Sequence, residues 1–247
     1  MSRTVRRRQV LYIPGYDPFH PRRYRELYRT EGAAQAAISG YHLAQSKGDG
    51  PHAWRVTAEM EGATVETEIE VLVWSDIVAD SMAASVAATY GQLVRTAWTY
   101  LASGALFRLA RLRKGPVIAA LYPVGVLLLQ AVLASLAGLG MATLTAAMPF
   151  GIAADILAVP VGLGVFIALL RWFRAKDGKI LAHYLMHDYA FSARWNGANP
   201  PELEARLAAF GDRVARAAAS GVDEVLVIGH SSGAHLGVSI LADLIRA

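Results

Sequence analysis

The chain has 247 residues, of which 54% are hydrophobic and only 18% are charged, a balance that is unusual for a water-soluble protein. It contains no cysteine, which excludes a disulfide framework, a thiolate metal site and a cysteine nucleophile. The net charge of +4 comes from arginines at the amino terminus and beside an apolar block. They are not interleaved with aromatic residues as in a base-stacking surface, so we predict no nucleic-acid partner.

The amino-terminal segment predicts a strand followed by a helix. Residues 10–13 are a short β-branched and aromatic run that Pro14-Gly15 closes, which indicates a buried strand and a tight loop. The run is too short for the apolar core of an export signal. Residues 24–42 then have a helical pattern.

A hairpin is predicted next. Polar and apolar residues alternate on both sides of Glu61-Gly62, and the second arm continues into a strand over residues 69–74. Ser75 or Asp76 can cap the helical region that follows.

The apolar block lies in the middle of the chain. Residues 115–154 and 156–170 contain no charged side chain, and only Asp155 separates the two stretches. Because about 20 apolar residues span a bilayer, we predict two transmembrane helices over 116–136 and 151–170. The turn between them would contain Gly138, Gly140 and Pro149, and Asp155 would lie near the far interface.

The charges around the block predict its orientation in a membrane. The connecting turn has no basic residue, whereas both open ends do: Arg108, Arg111, Arg113 and Lys114 on one side, and Arg171, Arg174, Lys176 and Lys179 on the other. The positive-inside rule therefore places both ends, and with them both termini, in the cytoplasm, as in a bacterial inner-membrane protein. Aromatic residues would occupy the interfacial belts: Trp98, Tyr100, Trp172 and Phe173. The alternative is a buried hairpin in the core of a soluble protein.

Three elements are predicted after the block. The segment "KILAHYLMHDYAFSARW" is helical and is expected to lie along the membrane surface. Residues 202–220 are predicted to form an amphipathic helix that ends at Gly221. Residues 225–228 are predicted to form a strand. His183 and His187 lie on one face of the first helix, beside Asp188, and such a pair can bind a metal. No third ligand is evident, so we predict no metal site.

The motif Gly229-His230-Ser231-Ser232-Gly233 matches G-x-S-x-G. It follows an aliphatic strand directly and precedes a helix rich in small residues, which is the setting of a nucleophile elbow. In such a turn the backbone of Ser231 is strained and its hydroxyl points outward, while an oxyanion formed at the serine accepts the backbone N–H of Ser232. A plain glycine turn is the alternative.

In "VLVIGHSSGAHLGVSIL" and "VLYIPGYDP" the chain resembles the α/β-hydrolase superfamily. The second segment is similar to the family's strand and oxyanion loop, with Pro14-Gly15 where His-Gly is usual, and "IEVLVW" would be the strand between those two. The resemblance implies a partial, mostly parallel α/β-hydrolase sheet in which the N–H of Tyr16 is a second oxyanion donor. The expected organisation is a hydrolase part over 1–107, the membrane hairpin with its basic flanks over 108–179, and a second hydrolase part with the elbow over 180–247.

The family's acid and histidine, which follow its serine, have no good match here. Only sixteen residues follow Ser231, and the histidine and acid among them, His235 and Asp243, lie along the same predicted helix. We therefore expect the general base and its acid on residues beyond 247. His230 is expected to pack beside the elbow, and His20 either lines the pocket or is an ordinary loop residue.

The resulting hypothesis is a membrane-anchored serine hydrolase with its catalytic part in the cytoplasm. It would cleave a small-molecule or lipid-like ester, thioester or amide and need no cofactor. The alternative is a non-catalytic membrane protein that uses a hydrolase-like scaffold for interaction. The oligomeric state stays open.

Overall fold

The computed structural model describes residues 5–60, 62–82, 85–112 and 114–246. These residues form two compact units, one from the chain up to residue 80 together with the chain from residue 199, the other from residues 81–198. The first unit contains a five-stranded sheet, and the described elements of the second are helices. The protein is thus of the α/β class, with a helical unit inserted between the two parts of the sheet unit.

The sheet has the strand order β2-β3-β4-β1-β5. The strands are β1 (Arg7–Ile13), β2 (His42–Lys47), β3 (Ala53–Met60), β4 (Ala63–Val71) and β5 (Glu224–Gly229). β2, β3 and β4 pair in antiparallel fashion, whereas β1 is parallel to both β4 and β5. The prediction of a mostly parallel sheet is therefore wrong: the sheet is mixed, because the hairpin adds two antiparallel pairs to a parallel trio. β1 is the middle strand of that trio. The strand predicted from "IEVLVW", which contains the end of β4, therefore lies between β1 and β5 along the chain but not in the sheet.

The edge strand β2 was missed by the sequence pattern, which predicted one helix over residues 24–42. Helix α1 (Arg22–Ser39) ends earlier, at Gly40, whose φ of 73° is a left-handed conformation that glycine adopts without steric cost. β2 then pairs along β3. Its residues, "HLAQSK", are partly or fully exposed, and such a strand carries little apolar alternation to detect.

The predicted hairpin is confirmed in the pairing of β3 with β4. Gly62 is in its turn with φ 77°, and Glu61 lies outside the described residues. β4 ends at Val71 and not at residue 74, because the chain turns there: the N–H of Leu72 still donates to the carbonyl of Tyr12 at 2.8 Å, but the indole of Trp74 points back to the loop after β1. Helix α2 (Ser75–Met82) follows, as predicted.

Helices α9 (Pro201–Ala219) and α10 (Ser232–Arg246) precede and follow β5. The end of α9 is as predicted, before Gly221, whose φ is 72°. α9 buries one apolar stripe at helical spacing, formed by Leu203, Leu207, Phe210, Val214 and Ala217. Beside this stripe, Arg206 forms an ion pair with Asp76 at 2.7 Å, and Arg213 forms one with Glu70 at the end of β4. The sheet contributes its own buried cluster: Val10, Trp54, Val56, Ile69 and Val71.

The helical unit contains α3 (Val86–Ala102), α4 (Ala105–Leu112), α5 (Lys114–Ala146), α6 (Ile152–Ala175), α7 (Asp177–Ile180) and α8 (Ala182–Ala193). α3 and α8, which lie on either side of residues 108–179 in the chain, pack against each other, and α8 also packs against α5. Leu93, Leu127 and Met186 form the buried centre of that packing.

Two of these helices are long and apolar enough to cross a membrane. Val117–Ala146 and Ile152–Ala175 each have a mean hydropathy of 2.3, and only 22% and 17% of their most apolar windows are buried in the protein. A core helix of a soluble domain would be mostly buried. By length and composition, these two helices could therefore cross a membrane as a hairpin.

The hairpin turn lies later in the chain than predicted. α5 continues to Ala146 instead of ending at residue 136, so Gly138 and Gly140 are inside the helix. Gly138 has a packing role, because a Cβ there would lie 2.8 Å from the carbonyl oxygen of Gly162 on α6. Glycine at this position allows close helix packing. Composition alone does not distinguish a glycine used for packing from one used in a turn.

We expect Gly138→Ala and Gly140→Ala to have opposite effects. Gly140 has nothing within 4 Å of an added Cβ, so alanine there removes unfolded-state freedom and raises stability by about 0.5–1 kcal/mol. At Gly138 the methyl group must push α5 and α6 apart, which costs about 1–3 kcal/mol. Thermal unfolding in detergent micelles, followed by circular dichroism, measures both. Equal shifts for the two variants would contradict the close contact.

Candidate nucleophile elbow

The candidate site is at the carboxyl ends of the parallel strands in the sheet unit. β1 and β5 end level with each other, since Ile13 pairs with Gly229, and the N–H of His230 donates to the carbonyl of Ile13 at 3.0 Å. The loop that follows β1 and the turn that follows β5 therefore meet at one edge of the sheet. In open α/β sheets, binding sites lie at this edge.

Ser231 has the backbone of a strained turn. Its φ is 54°, a left-handed conformation that is costly for a residue with a Cβ, and the residue is exposed. Helix α10 begins at the next residue, and the N–H of Ala234 donates to the carbonyl of Ser231 at 2.9 Å. Strand, strained serine and helix follow one another without a linker, as a nucleophile elbow requires.

The glycines around Ser231 are required by close backbone contacts. A Cβ on Gly229 would lie 2.4 Å from the Cα of Ala234, on the opposite side of the turn. A Cβ on Gly233 would lie 2.2 Å from the carbonyl oxygen of Ile13. The first contact keeps the turn tight, and the second keeps the start of α10 against the end of β1.

The predicted oxyanion loop reaches the elbow through Gly15. A Cβ on Gly15 would lie 3.1 Å from both the Cβ of Ser231 and the carbonyl oxygen of His230. The structure thus brings Gly15 to Ser231, with Tyr16 next along the chain. The ring of Tyr16 is buried, with 2% exposed, and meets Trp74 edge-on at 6.2 Å between centroids.

Trp74 holds this loop in place and was not singled out from the sequence. Its indole Nε1 donates to the carbonyl oxygen of Pro14 at 2.9 Å, and its side chain is almost fully buried. The loop is closed on its other side by Asp17, whose carboxylate accepts the N–H of Phe19 at 2.9 Å and the hydroxyl of Tyr24 at 2.7 Å. The signal available in the sequence was a tryptophan at the end of an aliphatic strand.

The histidines near the elbow do not form a relay with Ser231. In the described part of the chain, the Ser231 side chain has no hydrogen bond to a histidine. His230 is exposed, with its Nδ1 3.4 Å from the position of a Cβ on Gly15, and His235 is exposed on α10. Asp243 lies 3.6 Å from Arg246 on the surface of the same helix.

His20, Arg7 and Arg8 have structural roles in the sheet unit. The Nδ1 of His20 accepts the N–H of Arg22 at the start of α1. Arg8 forms an ion pair with Glu224, and the carboxylate of Asp223 accepts the N–H of Arg7 at 2.9 Å. These contacts fasten β1 to the beginning of β5.

His183 and His187 belong to the helical unit and are both buried, with 4% and 5% exposed. Burial lowers the pKa of each, the negative charge of Asp177 opposes this effect, and the positive charge of Arg174 adds to it. Asp177 accepts the N–H of His183 at 2.9 Å and so caps the start of α8. The described residues contain no group of three or more histidines, cysteines or acids that could hold a metal ion.

Comparisons of the chain with protein-family models, with curated proteins and with solved structures found no match. The candidate site is therefore defined by its own geometry. That geometry joins Gly229, Ser231 and Gly233 of the motif to Gly15 of the loop after β1.

We expect Ser231→Gly to raise the free energy of unfolding by about 1 kcal/mol, because glycine adopts a positive φ without steric cost. The control is Ser239→Gly, inside α10, where glycine lowers helix stability by about 0.5–1 kcal/mol. Unfolding of the full chain in detergent by increasing urea measures both. Destabilisation by glycine at both positions would show that Ser231 is not strained.

We expect the free energy of unfolding to decrease as the pH is lowered, because of His183 and His187. Their folded-state pKa lies below the ordinary value of 6.5, so the unfolded chain binds more protons as the pH falls through that value, and unfolding is favoured. The thermal midpoint should therefore decrease between pH 7.5 and 5. The double variant His183→Phe with His187→Phe should flatten this dependence, and an unchanged slope in that variant would contradict this origin of the pH effect.

Proposed function

We propose that the chain is a serine hydrolase of the α/β-hydrolase type, anchored to a membrane by α5 and α6. The observation that carries this proposal is the positive φ of Ser231 between a parallel strand and a helix. A relaxed glycine turn has no need of a strained, exposed serine at its tip. Strain of this kind is found where a backbone must present a reacting side chain.

The proposed reaction is acyl transfer to water. The Oγ of Ser231 transfers its proton to a general base and attacks the carbonyl carbon of an ester, thioester or amide, whose oxygen becomes an oxyanion; the base later gives that proton to the leaving group. The backbone N–H groups of Ser232 and Tyr16 stabilise that charge, together with the positive end of α10. Collapse of the tetrahedral intermediate expels the leaving group, and water then hydrolyses the acyl-serine.

Two features of the loop after β1 support its role in this reaction. Gly15 allows the backbone to approach Ser231 closely, which no residue with a side chain could do without a shift. The buried contact of Tyr16 with Trp74 and the hydrogen bond of Trp74 to Pro14 hold that backbone rigid. A rigid donor needs little reorganisation when charge develops.

The apolar helices support a lipid-like or membrane-delivered acyl substrate. The proposed topology has both ends of the hairpin on the cytoplasmic side, since the described basic residues near it lie at its open end, among them Lys114, Arg171 and Arg174. No cofactor is needed for this chemistry, which uses a hydroxyl group, a proton acceptor and backbone donors.

Labelling with a fluorophosphonate probe tests the proposal on the full chain in detergent. We expect one adduct, on Ser231, that Ser231→Ala abolishes and Ser232→Ala retains, because alanine at 232 keeps the backbone N–H. Hydrolysis of a p-nitrophenyl ester should fall at least roughly a thousandfold in Ser231→Ala alone. Equal labelling of wild type and Ser231→Ala would contradict a nucleophilic Ser231.

A second candidate function is a non-catalytic scaffold, which the lack of a histidine hydrogen-bonded to Ser231 in the described chain favours. A scaffold would show neither labelling nor esterase activity, and Ser231→Ala would change neither its stability nor its partners. Absence of any adduct, with the folded state verified by circular dichroism, would therefore select the scaffold.

A further inference from the structure

The helical unit contains a cavity of about 970 Å³ that is separate from the elbow and belongs entirely to α3, α5 and α6. Ligand sites in proteins have volumes of about 300–1,000 Å³, so this one can hold a large organic molecule. Its position next to the two apolar helices makes membrane lipids the nearest source of such a molecule.

The walls of the cavity are mainly apolar. Tyr90 lines it from α3, Ala131 from α5, and Phe166, Ile167 and Leu170 from α6. The hydroxyl of Tyr90 is directed to the carbonyl oxygen of Leu127, at 3.0 Å, so its polar group is already satisfied. A hydrocarbon chain would be in contact with carbon atoms along this surface, and burial of that chain would drive binding.

One end of the cavity is positively charged. Arg171 and Arg174 line it one turn apart on the last part of α6, and no acidic residue is among its lining residues. In the described chain neither arginine is engaged in an ion pair. Ser85, which caps α3, and the first residues of that helix, Val86 and Ala87, line the same cavity, and the N-terminal end of a helix also favours negative charge.

We propose that this cavity binds an anionic phospholipid, with an acyl chain between α3, α5 and α6 and the phosphate group at Arg171 and Arg174. An entirely apolar ligand would leave two arginines without a counter-charge, and a small soluble anion would leave the apolar walls uncovered. Basic pockets between transmembrane helices bind anionic lipid head groups in this way. The inference goes beyond the proposed hydrolase and needs no reaction at Ser231.

Lipid binding is measured on the full chain carrying Ser231→Ala, so that the ligand cannot be cleaved. Native mass spectrometry from a neutral detergent would compare phosphatidylglycerol with phosphatidylcholine of the same acyl chains. We expect phosphatidylglycerol to remain bound and phosphatidylcholine to bind at least tenfold more weakly. Replacing both Arg171 and Arg174 by Gln should weaken the binding of phosphatidylglycerol about tenfold to thirtyfold. The same replacement of Arg108 and Arg111, equally spaced on α4, should change it less than twofold.

A second pair of variants tests the apolar part of the cavity. Ile167→Trp fills it, whereas Ile156→Trp changes an isoleucine of the same helix that is 68% exposed and does not line it. Only Ile167→Trp should reduce bound phosphatidylglycerol, by at least fivefold, with unchanged helix content in both. Competition by millimolar glycerol phosphate would indicate a free-phosphate site and overturn the proposal. Equal binding of the two lipids, or equal effects of the two arginine pairs, would also overturn it.

Discussion

The sheet unit depends on the close approach of β5 and the start of α10 to β1. The carbonyl oxygens of Ile13 and Pro14 occupy the space in which a side chain on residue 233 would lie, at 2.2 and 2.4 Å from its Cβ. Because α10 must begin so near to β1, the chain has only two residues in which to change from strand to helix. Ser231 accommodates this bend with a positive φ, and its exposure follows from the same constraint.

The helical unit uses glycine for the same purpose in a different setting. Gly138 and Gly162 allow the backbones of α5 and α6 to cross in contact, although most of the apolar side chains of both helices point outward. In a bilayer, hydrophobic burial does not drive helices together, so close backbone packing has to contribute the attraction. Gly138 and Gly162 are therefore packing residues, and the turn is formed by the few residues after Ala146.

The two proposed sites select related chemistry by different means. At the proposed elbow, backbone N–H groups and a helix terminus would stabilise charge that exists only during a reaction. In the helical unit, Arg171 and Arg174 present permanent charge beside a wall of carbon atoms, which suits a bound amphiphile more than a reacting one. Both proposals involve molecules that carry an acyl chain, and each proposal can be tested without the other.

The sequence by itself determined the elements whose signals are local. The β3–β4 hairpin, the helix that ends before Gly221, the two apolar helices and the strand-turn-helix around Ser231 all follow from periodicity, turn residues and length. Only the tertiary structure decided the pairing of β1 between β4 and β5, the edge strand β2, the role of Gly138 and the cavity between α3, α5 and α6. These features arise from contacts between residues far apart in the chain, and the pattern of neighbouring residues does not indicate which distant surface each residue will contact.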